Sequence, residues 1–296
     1  MSGKLKEVRE RMKSVKSTQQ ITKAMKMVSA AKLRRATVAI QEMRPYSNKL
    51  SEILNNILIA QDGQVKLDLA EEREVKNVLL VVYTADRGLC GAFNANVIKK
   101  TMEQIRTKYS HIAKANLHVM TIGKKSNAYF AKVQCTVNGT YINLLQDRSF
   151  EETAKAAEFA INGFINGDFD VVELVYAQFK NAAVQNYLSE PFLPLVKVEA
   201  AITPTNNNVA DFIFEPNEHE IIDVLIPKIL KTQFYKALLD TNASEHGARM
   251  TAMDKATDNA QELLKELSIS YNRARQAAIT TELTEIVSGA AALEAN

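Results

Sequence analysis

The chain has 296 residues, 46% hydrophobic and 24% charged, with a formal net charge of +3. That composition excludes a disordered or low-complexity chain and leaves room for about two structural units. No apolar run reaches the roughly eighteen residues of a membrane span, and the charged opening MSGKLKEVRERMKS excludes a secretory signal core.

The charge is unevenly spread. Residues 1–50 carry 13 Lys or Arg against three acids, Glu7, Glu10 and Glu42. A basic arm of this kind suits acidic partners, nucleic acid or an anionic surface, or serves as a solvated helix face. From Lys4 to Asp62 there is no Gly and only Pro45. The apolar rows Leu5, Val8, Met12, Val15 and then Ile21, Met25, Val28 step by threes and fours, and Leu50, Ile53, Leu54, Ile57 and Leu58 follow the proline. The spacing predicts one long helix over residues 1–60, with a possible kink at Pro45 where a backbone donor is missing.

The polar stretch 61–76 reads as a linker. NVLLVVY (77–83) is a continuous apolar, β-branched run of strand length, the mark of a strand buried on both faces. The turn TADRGLCGAFN (84–94) follows, then a helix over 95–108, a strand LHVMTI (117–122), a short helix over 124–132 and a strand-like run over 133–141. A helix over 150–165 and a strand VVELVYAQF (171–179) complete an alternation that predicts an open α/β sheet over 77–215, with further strand-like runs at 195–202 and 211–215.

Asn217, with Glu220 three residues on, offers a helix start, and Pro227 lies about three turns inside it. From Ala248 to Ser288 there is no Gly or Pro. Met250, Met253, Thr257, Ala260, Leu264, Leu267, Tyr271, Ala274 and Ala278 keep heptad spacing, and beyond them the apolar row shifts by one position to Ile279, Leu283, Ile286 and Ala290. The third predicted segment is therefore a helix over 217–293. At 1.5 Å per residue the terminal helices would reach about 85 and about 108 Å, too long for a compact domain to hide. The expected arrangement is an antiparallel coiled coil of the two ends, carried on the middle α/β domain.

Motifs for catalysis are weak or absent. The turn DRGLCGAF supplies Gly88 and Gly91 but not the third glycine of a dinucleotide fingerprint. Gly123-Lys124-Lys125-Ser126 lacks the upstream glycine of a phosphate loop, since His118 stands at that position. His111, His118, His219 and His246 fit no metal spacing, and no G-x-S-x-G occurs. Cys90 and Cys135 read as buried free thiols. Asp254, Asp258, Glu262 and Glu266 recur every fourth residue, as on a solvated helix face.

Three blocks carry a resemblance: SVKSTQQITKAMKMVSAAKLRRA (14–36), TADRGLCGAFNANV (84–97), and ASEHGARMTAMDKATDNA with YNRARQAAITTELTEIVSGAAAL (243–293). Together they are similar to the gamma subunit family of the rotary F-type ATP synthase. The resemblance implies a central rotor shaft that is not itself an enzyme and holds no cofactor. Its partners would be the alpha and beta subunits of F1, the epsilon subunit and the c-ring of Fo, with the membrane met only through the complex. It also implies that Arg275, Gln276, Thr280 and Glu282 meet the alpha–beta ring, that Met25 faces the beta subunits, and that Lys23, Lys26, Lys32, Arg34 and Arg35 face acidic beta loops. The missing transit peptide and the missing dithiol insert of plastid relatives point to the cytoplasmic face of a bacterial inner membrane. The alternative is a basic coiled-coil protein that binds nucleic acid or acts as a scaffold. Residues 1–45 contain no Phe, Tyr or Trp for base stacking, which counts against nucleic acid.

Overall fold

A computed structural model describes residues 2–60, 68–71, 73–133, 135–195 and 218–294. The chain divides into two compact units, one joining Met1–Ser29 to Met250–Asn296 and the other spanning Ala30–Arg249.

The larger unit is built on a five-stranded sheet of order β3-β2-β1-β4-β5. Its strands are β1 (Val78–Tyr83), β2 (Leu117–Ile122), β3 (Thr136–Tyr141), β4 (Val171–Phe179) and β5 (Gln185–Leu193). The first four are parallel, with Val78 in register with Leu117 on one side and Val171 on the other, and β5 returns antiparallel to β4. All six residues of β1 are buried, which explains why this strand shows a continuous apolar run and no alternation. Leu79, Val81 and Tyr83 point to one face, against Ala160 and Phe164 of α5 (Phe150–Ile165) and Ile229, Phe234 and Leu238 of α6 (Glu218–Glu294). Val78, Leu80 and Val82 point to the other, against Phe93 and Val97 of α2 (Phe93–Thr107) and Phe130 of α3 (Lys124–Phe130). A short α4 (Leu144–Asp147) precedes α5. Helix α5 starts where Ser149 Oγ accepts the Glu152 N–H at 3.3 Å, a cap the S-x-x-E spacing supports.

Strand β5 escapes the sequence reading because Pro191 interrupts it and its residues are mostly half-buried, as fits an edge strand. The turn before it is held by Asn181, whose side chain accepts the N–H groups of Ala183 (3.0 Å) and Val184 (2.8 Å). The strand-like run 195–202 lies outside the described residues except for Leu195, which is not in a strand. The run 211–215 and the Asn217 cap lie outside them altogether.

Helix α1 (Ser2–Ala60) is unbroken across Pro45, and α6 is unbroken across Pro227. Within the larger unit Ala36 and Ile40 of α1 pack against Leu239 and Ala243 of α6, with Leu33, Met43 and Phe179 around them. Among the described residues no helix is long and apolar enough to cross a membrane.

Candidate partner-contact site

The smaller unit is an antiparallel pair of helical segments from the two chain ends. On α6 the heptad seam predicted from spacing, Met250, Met253, Thr257, Ala260, Leu264, Leu267, Tyr271, Ala274 and Ala278, is buried or half-buried throughout. On α1 they are Leu5, Val8, Met12, Val15, Gln19, Thr22, Lys26 and Ser29. The second apolar row expected on α1 is therefore corrected. Ile21 and Val28 are 58% and 57% exposed, and only Met25 of that row is half-buried. The seam keeps the phase set by Leu5 to Val15 and accepts polar residues where the period demands them. Opposite that stretch stand the small or short residues Thr257 and Ala260, so the helices approach closely and a hydroxyl can be satisfied across the gap.

Three contacts set the register. Arg9 Nη2 donates to Tyr271 Oη at 2.9 Å and its guanidinium lies 5.7 Å from the ring centroid. The Thr22 and Thr257 hydroxyls are 2.8 Å apart, and Lys26 Nζ pairs with Asp254. The paired residue numbers sum to 279 or 280 in all three, the sign of a straight antiparallel alignment. By that register Ser2 stands opposite residue 278 or so. Beyond it α6 continues to Glu294 with no facing segment of α1. Ile279, Leu283 and Ile286 form one stripe on this overhang and are 50%, 57% and 67% exposed.

The residues singled out from sequence fall into two groups. Arg275, Gln276, Thr280 and Glu282 are exposed on α6 at the start of the overhang, with Thr280 Oγ1 donating to Gln276 O at 3.0 Å. Lys23 is exposed, Met25 is half-buried and Lys26 is already paired within the chain. Met25 stands opposite residue 255 or so, about 20 residues and about 30 Å along the helix from Arg275. The structure thus brings the members of each group together and keeps the groups apart. Lys32, Arg34 and Arg35 are exposed on the part of α1 that belongs to the larger unit.

In the larger unit the strand order reverses between β1 and β4, the place where open sheets of this kind bind ligands at their carboxyl ends. Here the chain's own helix α6 lies across that place. Tyr83 Oη donates to Phe234 O at 3.3 Å, Ser244 Oγ donates to Ala177 O at 2.9 Å, and Arg249 donates to the carbonyl of Gly88 in the turn after β1. Gly247 eases this approach, since a Cβ there would meet backbone atoms of Ala182 at a tight 3.2 Å. The DRGLCGAF turn therefore serves as a seat for a helix. Asp86 holds it from the other side, accepting the Lys124 N–H at 3.0 Å and the Gln146 side-chain amide at 3.0 Å. The Cys90 thiol is buried beneath the turn, and burial pushes its pKa up, against the pull of the Arg249 charge. Among the described residues no group of three metal-ligating side chains occurs.

The sequence reading missed the residues that seat α6, namely Arg44, Asp240, Asn242, Ser244 and Arg249. The available signal was DTNASE (240–245), a helical stretch of short polar residues with no large hydrophobe.

Comparison with known proteins covers nearly the whole chain. The family model described as ATP synthase matches residues 4–293. The ATP synthase gamma chain of Cytophaga hutchinsonii is 52% identical over 290 residues, 98% of each chain, and that of Flavobacterium johnsoniae is 50% identical over 289 residues, again 98% of each. Among solved structures, a chain of the Euglena gracilis mitochondrial ATP synthase OSCP/F1/c-ring assembly in rotational state 3 has a TM-score of 0.71 at 21% identity, covering 100% of this chain and 96% of that one. A chain of the rotor of the same enzyme in rotational state 1 has a TM-score of 0.69 at 23% identity, covering 94% and 100%.

Proposed function

Because the chain belongs to the ATP synthase gamma chain family, whose members are non-catalytic subunits, we propose that it is the central rotor shaft of an F-type ATP synthase. The shaft couples proton-driven rotation of a c-ring to conformational change at the beta subunits of an alpha–beta ring, where ATP is made. The observation that carries this reading is the overhang of α6. About 16 residues of helix past residue 278 have no facing α1 segment and carry an apolar stripe. A helical stretch of this kind draws most of its stability from packing of its apolar face, and a surrounding protein is what would supply that packing.

Arg275 and Gln276 offer a planar fork and an amide to carbonyls and carboxylates of that ring, and Thr280 and Glu282 extend the same contact one to two turns on. Met25 and Lys23 form a second contact about 30 Å away, facing beta-subunit loops. Lys26, held by Asp254, contributes there only by exchanging partners. The remaining partners are the epsilon subunit and the c-ring, met by the α/β unit. The location is the cytoplasmic face of a bacterial inner membrane, reached only through the complex. The family assignment leaves the basic nucleic-acid-binding alternative without support.

The test is ATP hydrolysis by matching alpha and beta subunits with and without this chain, after gel filtration. Co-elution, with activity that depends on the chain, is the expected result. A chain that elutes alone and leaves activity unchanged overturns the reading.

A further inference from the structure

Helix α6 is held at residues 240–249 in an unusual way. A helix seated on a sheet usually presents apolar side chains, yet here Asp240, Thr241, Asn242, Ser244, Glu245 and Arg249 are all buried. Their partners come from the end of one strand and from the segments that follow two others. At the end of β4, Phe179 N donates to Asp240 Oδ1 at 3.4 Å, and Ser244 Oγ donates to Ala177 O at 2.9 Å. After β3, Leu145 O accepts Asn242 Nδ2 at 2.7 Å. After β1, the carbonyls of Gly88 and Arg87 accept the Arg249 guanidinium, which Glu245 also binds. Arg44 of α1 closes the ring, donating to Phe179 O at 2.8 Å and to Asp240 Oδ1 at 3.2 Å.

The angular positions of these groups matter more than their number. At about 100° per residue, Asp240 and Ser244 lie about 40° apart on one side of α6, while Asn242 and Arg249 lie about 20° apart on the opposite side. Apolar packing, here from Ile229, Phe234 and Leu238 on the sheet, holds one face of the helix through many weak, non-directional contacts. Directional bonds from opposite sides add a sharper restraint on the helix angle. A turn of about 20° moves side-chain atoms at the helix rim, about 5 Å from the axis, by nearly 2 Å, which carries hydrogen bonds on both sides out of range. The arrangement also carries a cost. Asp240 Oδ2, Thr241 Oγ1 and Asn242 Oδ1 are buried without a hydrogen-bond partner, which apolar side chains would avoid.

We infer that this polar collar is the torque-bearing joint of the chain, fixing the angle of α6 against the α/β unit so that rotation of one turns the other. The inference rests on the shaft reading above and names the positioning residues within it: Asn242, Ser244 and Arg249 on α6, with Arg44 and Asp240 as the supporting ion pair. None of them needs to touch a nucleotide or the catalytic ring.

The experiment uses the complete ATP synthase in vesicles, comparing proton pumping per ATP hydrolysed with hydrolysis itself. In the variant Asn242→Leu/Ser244→Ala/Arg249→Met, complexes that retain the chain keep hydrolysing ATP. Their pumping per ATP falls about threefold or more, within the range over which mutations weaken coupling between distant sites. Arg249→Lys, which keeps a donor for the Gly88 carbonyl, restores most of the ratio when placed in the same background. An assembled triple variant with an unchanged ratio overturns the proposal. If the triple variant does not assemble, Arg249→Met and Arg249→Lys are compared alone, and equal ratios overturn it. Failure of the shaft reading looks different, because the unmutated chain would then support neither hydrolysis nor pumping.

Discussion

Replacing Glu173 by Ala tests the reasoning about the α/β unit most directly. Glu173 sits on β4 with its carboxylate buried, and three donors converge on it: Lys108 Nζ, Tyr109 Oη at 2.7 Å and Ser189 Oγ at 2.7 Å. Burial alone would raise its pKa, but the hydrogen bonds from Lys108, Ser189 and Tyr109 outweigh burial and hold the carboxyl below its ordinary value. The cost of Glu173→Ala is built from the groups left behind. Tyr109 is buried, and an unpaired buried hydroxyl costs about 1–3 kcal/mol. Ser189 is half-buried and adds about 1 kcal/mol or less. Lys108 is half-exposed, returns to water and adds little. The sum is about 3 kcal/mol, or a fall in Tm of about 6–12 °C for a chain of this size. Glu173→Gln keeps acceptor and shape but loses the charge, and should cost about half as much. The assay is urea unfolding of the full chain followed by tyrosine fluorescence, which is usable because the chain has no Trp. The pH dependence adds a sign. A carboxyl whose folded pKa lies below its unfolded value stabilises fully above the unfolded value, about 4.3, and that contribution is lost as pH falls through the folded one. The stability gap between the parent and the Glu173→Gln chain should therefore close below about pH 4. A Glu173→Ala chain within about 0.5 kcal/mol of the parent would refute the account, since a change of that size is ordinary for surface sites.

His246 gives the opposite test. Burial, together with the charges of Lys32, Arg249 and Arg148, lowers its pKa to about 4. The unfolded chain then binds this proton first, so stability falls as pH drops from about 6.5 toward 4, by up to about 3 kcal/mol. A His246→Gln chain should show a flatter stability profile across that window in the same assay. Removing residues 279–296 should leave the thermal midpoint of the isolated chain unchanged within about 2 °C, because all the side chains described over 279–291 are exposed except the half-buried Thr281. The same truncation should sharply reduce hydrolysis by the reconstituted alpha–beta complex. Ala260→Leu should force the helix pair apart where Gln19 and Thr22 face it, at a cost of about 1–3 kcal/mol. Circular dichroism melting of the full chain would register that loss, and an unchanged melt would mean that the close approach at Ala260 is not needed.

The sheet core and the α6 seam were legible because each repeats a simple pattern. A strand buried on both faces leaves a continuous apolar run, as in VLLVVY, and a paired helix leaves a seven-residue period. The phase of α1 was not legible past Val15. Ile21 and Val28 looked like the seam because they are apolar, yet Gln19, Thr22 and Ser29 occupy it. Hydrophobicity within one helix cannot decide this, because the small partners Thr257 and Ala260 lie more than 200 residues away and make a polar seam satisfiable. The register contact of Thr22 with Thr257 was invisible for the same reason.

The collar was hidden by a related effect with a different cause. Short polar residues inside a helix ordinarily face water or bond back to their own turn, so DTNASE reads as a solvated flank. The sheet reverses that expectation. Near the carboxyl ends of the strands and in the segments after them, the carbonyls Ala177 O, Leu145 O and Gly88 O accept side-chain donors from α6. The helix laid across those ends brings the donors itself. A buried polar stretch in a helix that follows an open parallel sheet is therefore a sign of docking at the strand ends, and here it marks the place where this fold would otherwise receive a ligand.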